Sequence, residues 1–89
     1  MTFTLTKDQI AILKKIDFSE IEEPIVYDDN QTTVTVPDSK VGLFLMIISE
    51  EIDVYGLTDD QDDVLPYGRK LYDIYDSVYY QRISKREKR

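Results

Sequence analysis

The residues of this chain whose types could do chemistry are carboxylates and phenols. Four aspartates, Asp59, Asp60, Asp62 and Asp63, stand within five positions, a density of hard oxygen donors that would suit a divalent cation. A calcium loop counted from Asp59 needs glycine at the sixth position and a bidentate glutamate at the twelfth, and the chain has Val64 and Lys70 there. No metal site is assigned, and the cluster reads as the solvated approach to a helix whose N-terminus favours nearby negative charge. Paired carboxylates can share a proton in a cleft, but 18 acids in 89 residues bring many pairs together without design. The chain has no His and no Cys. It therefore lacks the commonest general base, the commonest neutral metal ligand and every thiolate. Neither a Gly-rich phosphate loop nor a G-x-S-x-G elbow is present. The expectation is a non-enzyme without a cofactor.

The phenols are more suggestive. Seven tyrosines are present, and Tyr67, Tyr72, Tyr75 and Tyr79 fall on one C-terminal segment at or beside its apolar stripe. Tyrosine combines large apolar area with a polar tip and is enriched at interfaces. The plainer reading makes most of them core residues with hydroxyls reaching water. The sharper one makes Tyr72, Tyr79 and Tyr80 a partner-binding face, rimmed by Glu50, Glu51, Asp53, Asp59, Asp60, Asp62 and Asp63. From Asp17 to Asp63 there are 14 acids and only Lys40 to offset them, and residues 1–81 carry a net charge of −11 within a chain total of −7. Such a body repels nucleic acid and anionic lipid and attracts a basic protein partner. The terminal Lys85-Arg86-Glu87-Lys88-Arg89 reads as an ordinary basic helix end, frayed beyond a globular unit of residues 1–84.

The elements that must position these groups follow from periodicity and caps. Eighty-nine residues bound a single domain. The longest apolar run, Val41 to Ile48, is eight residues, against the roughly 20 of a membrane helix, and no leader-like segment opens the chain, so a cytoplasmic location is expected. Thr6-Lys7-Asp8-Gln9 is a capping box, predicting a helix from Lys7 to about Asp17 with Ile10, Leu13 and Ile16 inward and Phe3 and Leu5 stapling its start. Ser19 to Pro24 reads as an acidic loop. Ile25-Val26-Tyr27 and Thr32-Thr33-Val34-Thr35-Val36 flank turn residues and predict a β-hairpin, closed by Pro37. Asp38 or Ser39 would cap the next helix, with Val41, Phe44, Leu45, Ile48, Ile52 and Tyr55 on its seam and Gly56 as its stop. A third strand over Val41 to Ile48 is the competing assignment. Thr58 and Gln61 form a second capping box opening a short turn. Pro66 fits the first turn of a last helix, running to about Arg82 with Tyr67, Leu71, Ile74, Tyr75 and Val78 inward. The result is an α+β domain in the order helix, hairpin, helix, helix, with the hairpin packed on the helices.

Two stretches, Phe3-Thr-Leu-Thr-Lys-Asp-Gln9 leading into Leu13-Lys-Lys-Ile16 and Tyr55-Gly-Leu-Thr58 leading into Gly68-Arg-Lys-Leu-Tyr-Asp-Ile-Tyr-Asp76, loosely resemble small acidic immunity proteins. These are encoded beside secreted antibacterial toxins in Gram-positive bacteria, in polymorphic-toxin loci. The match covers about a third of the chain, which departs from the group in its Thr-rich hairpin and basic tail. The resemblance implies a cytoplasmic inhibitor that blocks one toxin by surface complementarity; it transfers no site residue. The alternatives are a phage or mobile-element protein acting as a nucleic-acid mimic, a DNA-associated regulator using the last helix, and a homodimer through the tyrosine face.

Overall fold

The fold was obtained as a computed structural model that describes residues 1–57 and 64–87, with side chains through residue 85. Among the described residues it is an α+β arrangement of three α-helices and one antiparallel sheet, in the order β1 (Thr2–Thr4), α1 (Lys7–Leu13), β2 (Val26–Tyr27), β3 (Thr33–Thr35), α2 (Val41–Tyr55) and α3 (Pro66–Glu87). The hairpin of β2 and β3 forms as expected, with Tyr27 opposite Val34. It gains a partner that the periodicity did not announce: β1 pairs with β3, placing Phe3 opposite Val34, so β3 is central in the order β1-β3-β2. A third strand resolves a physical difficulty, since two strands alone are marginal in water. Phe3 and Leu5 are consequently core residues, Phe3 wholly buried, and more than a staple on α1.

The capping box is complete. The Gln9 backbone N–H donates to Thr6 Oγ1 at 3.1 Å and the Thr6 N–H to Gln9 Oε1 at 3.0 Å. The helix it opens is shorter than the expected reach to Asp17, because after Leu13 the backbone tightens to three-residue bonds, Lys15 to Ile12 and Ile16 to Leu13. The tightening still buries Ile16. The expected acidic loop instead holds a 3-10 turn, Ser19–Ile21, which ends at Glu22 with φ 62° and drives Ile21 fully into the core.

Val41 to Ile48 is helical, which settles the competing strand assignment. Helix α2 is entered through a 3-10 turn, Asp38–Lys40, and neither Asp38 nor Ser39 caps it by a side-chain bond. Asp38 pairs instead with the Met1 ammonium at 2.7 Å, the only ion pair among the described residues. Tyr55 leaves the seam and is 60% exposed, because α2 outruns the core after Ile52. Gly56 ends α2 with right-handed backbone, φ −98°, so its role is not the left-handed stop that glycine usually supplies. Its use is close approach: a Cβ on Gly56 would stand 2.8 Å from the Gly68 Cα, and one on Gly68 would stand 2.7 Å from the Gly56 Cα. Helices α2 and α3 meet backbone to backbone there.

Leu71, Ile74 and Val78 lie fully buried along α3, with Tyr67 and Tyr75 packed half-buried beside them. The helix passes the expected end at Arg82 and runs to Glu87. On the way it guards the outer edge of β1. The Gln81 side-chain amide bonds the Thr4 N–H and C=O, each at 2.8 Å, as a neighbouring strand would, and Lys85 Nζ donates to the Thr2 carbonyl. The Lys85 ammonium also stands 5.2 Å over the Phe3 ring.

The hairpin turn is organised by one carboxylate. Asp28 accepts the backbone N–H groups of Thr32 at 2.7 Å and Thr33 at 2.9 Å, and the Thr32 hydroxyl at 2.9 Å. Led by the Thr33 N–H, these donors hold its pKa below the ordinary 3.8. A native pKa below the unfolded one stabilises the fold fully above the unfolded value, and that stability is lost as pH falls through the native value. Asp28→Asn is therefore expected to lower the urea midpoint near pH 6, with a penalty that shrinks below about pH 3. Midpoints at both pH values check this; a penalty independent of pH would remove the carboxylate from the turn's energetics.

Candidate functional site

The rotation of α3 is set by Leu71, Ile74 and Val78, at helical spacings of three and four, which all face the core. That rotation turns Tyr72, Tyr79 and Tyr80 outward, Tyr80 being 68% exposed. Tyr72 and Tyr79 are two turns apart on one flank, with Tyr80 about a quarter-turn further round. The rings of Tyr75 and Tyr79 stack at 6.3 Å between centroids and 11° between planes, and Tyr80 meets Tyr79 edge-on at 6.0 Å. A linked run of three rings thus leads from Tyr75, packed against the core, to open solvent. Aromatic pairs at these separations hold one another in place, which makes the outer rings a firmer surface than isolated side chains.

The acids expected beside them are distributed differently. Glu50 and Asp53 are exposed on α2. Glu51 does not join the rim of the tyrosine run; it is half-buried and turns into a cleft with Tyr55 and Tyr67. Asp59, Asp60, Asp62 and Asp63, with the capping box of Thr58 and Gln61, lie outside the described residues. Among the described residues on either side, Leu57 bridges Val64 and the Leu65 N–H donates to the Gly56 carbonyl at 2.8 Å.

The cleft has a volume of about 510 Å³ and is lined by Lys15, Asp17, Glu51, Tyr55 and Tyr67. Three elements build it: the chain leaving α1, the last turn of α2 and the first turn of α3. Its geometry follows from the glycine contact, because each glycine is preceded by a tyrosine, Tyr55-Gly56 and Tyr67-Gly68. Bringing the two glycines together brings the two phenols to one place. Burial pushes the Tyr67 phenol above its ordinary pKa of 10.0, and the neighbouring Glu51 carboxylate and Tyr55 phenol add to the shift. The phenol is neutral at physiological pH and can donate to Glu51. Asp17 accepts the Ser19 N–H at 2.9 Å, and this bond holds its carboxyl below the usual 3.8. The cleft lining therefore carries two carboxyl groups, and neither is within 4.0 Å of a described cation. The sequence reading missed this grouping; the repeated Tyr-Gly pair was the signal available.

A smaller cavity of about 170 Å³ lies between α1 and α3, lined by Asp8, Gln9, Ile12, Lys70 and Asp73. Among the described residues, no helix is long and apolar enough to cross a membrane. No protein-family model, curated protein or solved structure matches the chain.

Proposed function

We propose that this chain is a non-catalytic binding module whose acidic, tyrosine-bearing surface captures a basic protein partner. The observation that carries the reading is the run of rings on α3. Tyr79 and Tyr80 are exposed large aromatics held against one another and rooted on half-buried Tyr75. Ordered aromatic side chains lose little entropy on contact and supply most of the energy where they anchor an interface. The acids of α2 supply the second part. Glu50 and Asp53 project into solvent with no described cation beside them, so their field is available to steer a positively charged surface. An inhibitor or immunity factor acting on a basic toxin is the form of this function that the sequence resemblance supports.

The test is a pull-down from lysate of the source organism, using the full chain and the Tyr72→Ala/Tyr79→Ala double variant as baits. Both tyrosines are exposed, so the variant keeps its core. The expected result is a basic protein retained by the natural chain, released by raised salt, bound with defined stoichiometry by calorimetry, and lost by the variant. If both baits retain the same proteins equally well, the tyrosine face is not the interface.

A further inference from the structure

We propose that the cleft between Tyr55 and Tyr67 is the receptor for an arginine side chain of the partner, an inference that rests on the binding function above and gives it an anchor point. The tyrosine run on α3 offers rings alone, whereas the cleft, an open depression with Tyr55 and Asp17 exposed at its margin, offers rings and carboxylates together. It places two carboxylates, Asp17 and Glu51, and two phenol rings, Tyr55 and Tyr67, around one opening. The backbone contact of Gly56 with Gly68 fixes where the chain carries Tyr55 and Tyr67, one on each side of the α2–α3 junction.

The chemistry of the lining selects among ligands. A guanidinium is planar, permanently charged and weakly hydrated; it stacks on aromatic faces and bonds carboxylates in a fork. An ammonium can meet either carboxylate but does not stack in this way. A phosphate or carboxylate would find Lys15 as its one cationic contact in the lining and would face both Asp17 and Glu51, so anions are disfavoured. Lys15 also opposes a cation, but two carboxylates outnumber it, and its long side chain can move its charge toward solvent. Ser19 and Tyr67 engage Asp17 and Glu51 from one side each, and a carboxylate has about four acceptor positions, so capacity remains for the guanidinium.

The experiment is an amide-proton NMR titration of the full chain with a short arginine peptide capped at both ends. Its lysine and citrulline analogues serve as comparison ligands, citrulline keeping the shape of arginine without the charge. Saturable shifts are expected at Asp17, Glu51, Tyr55 and Tyr67, weaker for lysine and absent for citrulline. Glu51→Gln, which keeps size and removes charge, should weaken arginine binding about tenfold. Tyr55→Ala should weaken it several-fold, and Tyr55 is exposed enough for its loss to leave the fold intact. Asp29→Asn, which removes an exposed carboxylate of the hairpin turn outside the cleft lining, should leave it unchanged. Equal shifts from arginine and citrulline, non-saturating shifts spread over all acidic residues, or Glu51→Gln binding as well as the natural chain would overturn the cleft as receptor. The two proposals fail separately. Partner capture that survives Glu51→Gln and Tyr55→Ala sinks the cleft and leaves the binding function standing, whereas arginine binding without any tyrosine-dependent partner sinks the function.

Discussion

Gly68→Ala is expected to destabilise the protein by about 3 kcal/mol or more, the upper part of the range for overpacking, although helix propensity alone gives it the opposite sign. Replacing glycine by alanine inside a helix normally gains up to about 1 kcal/mol. Gly68 lies inside α3, but its new Cβ would run into the Gly56 carbonyl and stand 2.7 Å from the Gly56 Cα. Backbone cannot rotate away as a side chain does, so α2 and α3 must separate. That separation opens the packing of Ile52 and Leu71, both buried. Gly42→Ala is the matched comparison, because nothing lies within 4 Å of its added Cβ. It should be neutral or stabilise by up to about 1 kcal/mol. Urea unfolding of both variants checks the pair; a Gly68→Ala protein as stable as Gly42→Ala would mean the helices do not meet at these glycines.

Phe3→Ala should cost about 3 to 5 kcal/mol, a large share of the roughly 5 to 15 kcal/mol that holds a domain of this kind together. The ring is fully buried, stands opposite Val34 across the β1–β3 pairing and lies beneath the Lys85 ammonium. Removing it leaves a cavity at the junction of sheet and α3 and deprives Lys85 of the aromatic face it covers. Denaturant midpoints measure the loss. A cost below about 1 kcal/mol, in the range of a cap contribution, would return Phe3 to the role of a staple on α1 and detach β1 from the core.

What could be read from the residues was whatever is decided locally. The capping box at Thr6 and Gln9 is one such case, because both of its bonds close within three residues. The buried seam of α2 from Val41 to Ile52 is another, since a helix repeats its inward positions every three or four residues wherever it packs. Ile10, Leu13, Leu71, Ile74 and Val78 are buried for the same reason, and Val34 and Val36 because a strand repeats its inward positions every second residue. What escaped depends on distant partners. Thr-Phe-Thr at residues 2–4 is too short to show an alternation, and it becomes a strand because Thr33–Thr35 lies beside it. Tyr55 continues the helical spacing but passes the end of the core, and periodicity does not report where a core ends. Gly56 has the look of a helix stop and Gly68 of a weak helix position. Their contact across the α2–α3 junction is visible only in three dimensions, and with it the cleft that groups Tyr55, Tyr67 and Glu51. The acids and tyrosines of the candidate surface were legible as residue types; their division between an exposed aromatic run and a separate cleft was not.

The guard that α3 places on β1 also sets a schedule for synthesis. Gln81 and Thr4 are separated by 77 positions, and Lys85 and Thr2 by 83. At the roughly 5 to 20 residues per second of translation, the edge of β1 emerges about 4 to 15 seconds before the side chain that covers it. During that interval β1 offers open backbone groups to any neighbouring strand, including the same segment of another nascent chain. The last turns of α3 are thus the final part of the chain needed to cover the Thr2 and Thr4 backbone groups on the outer edge of β1.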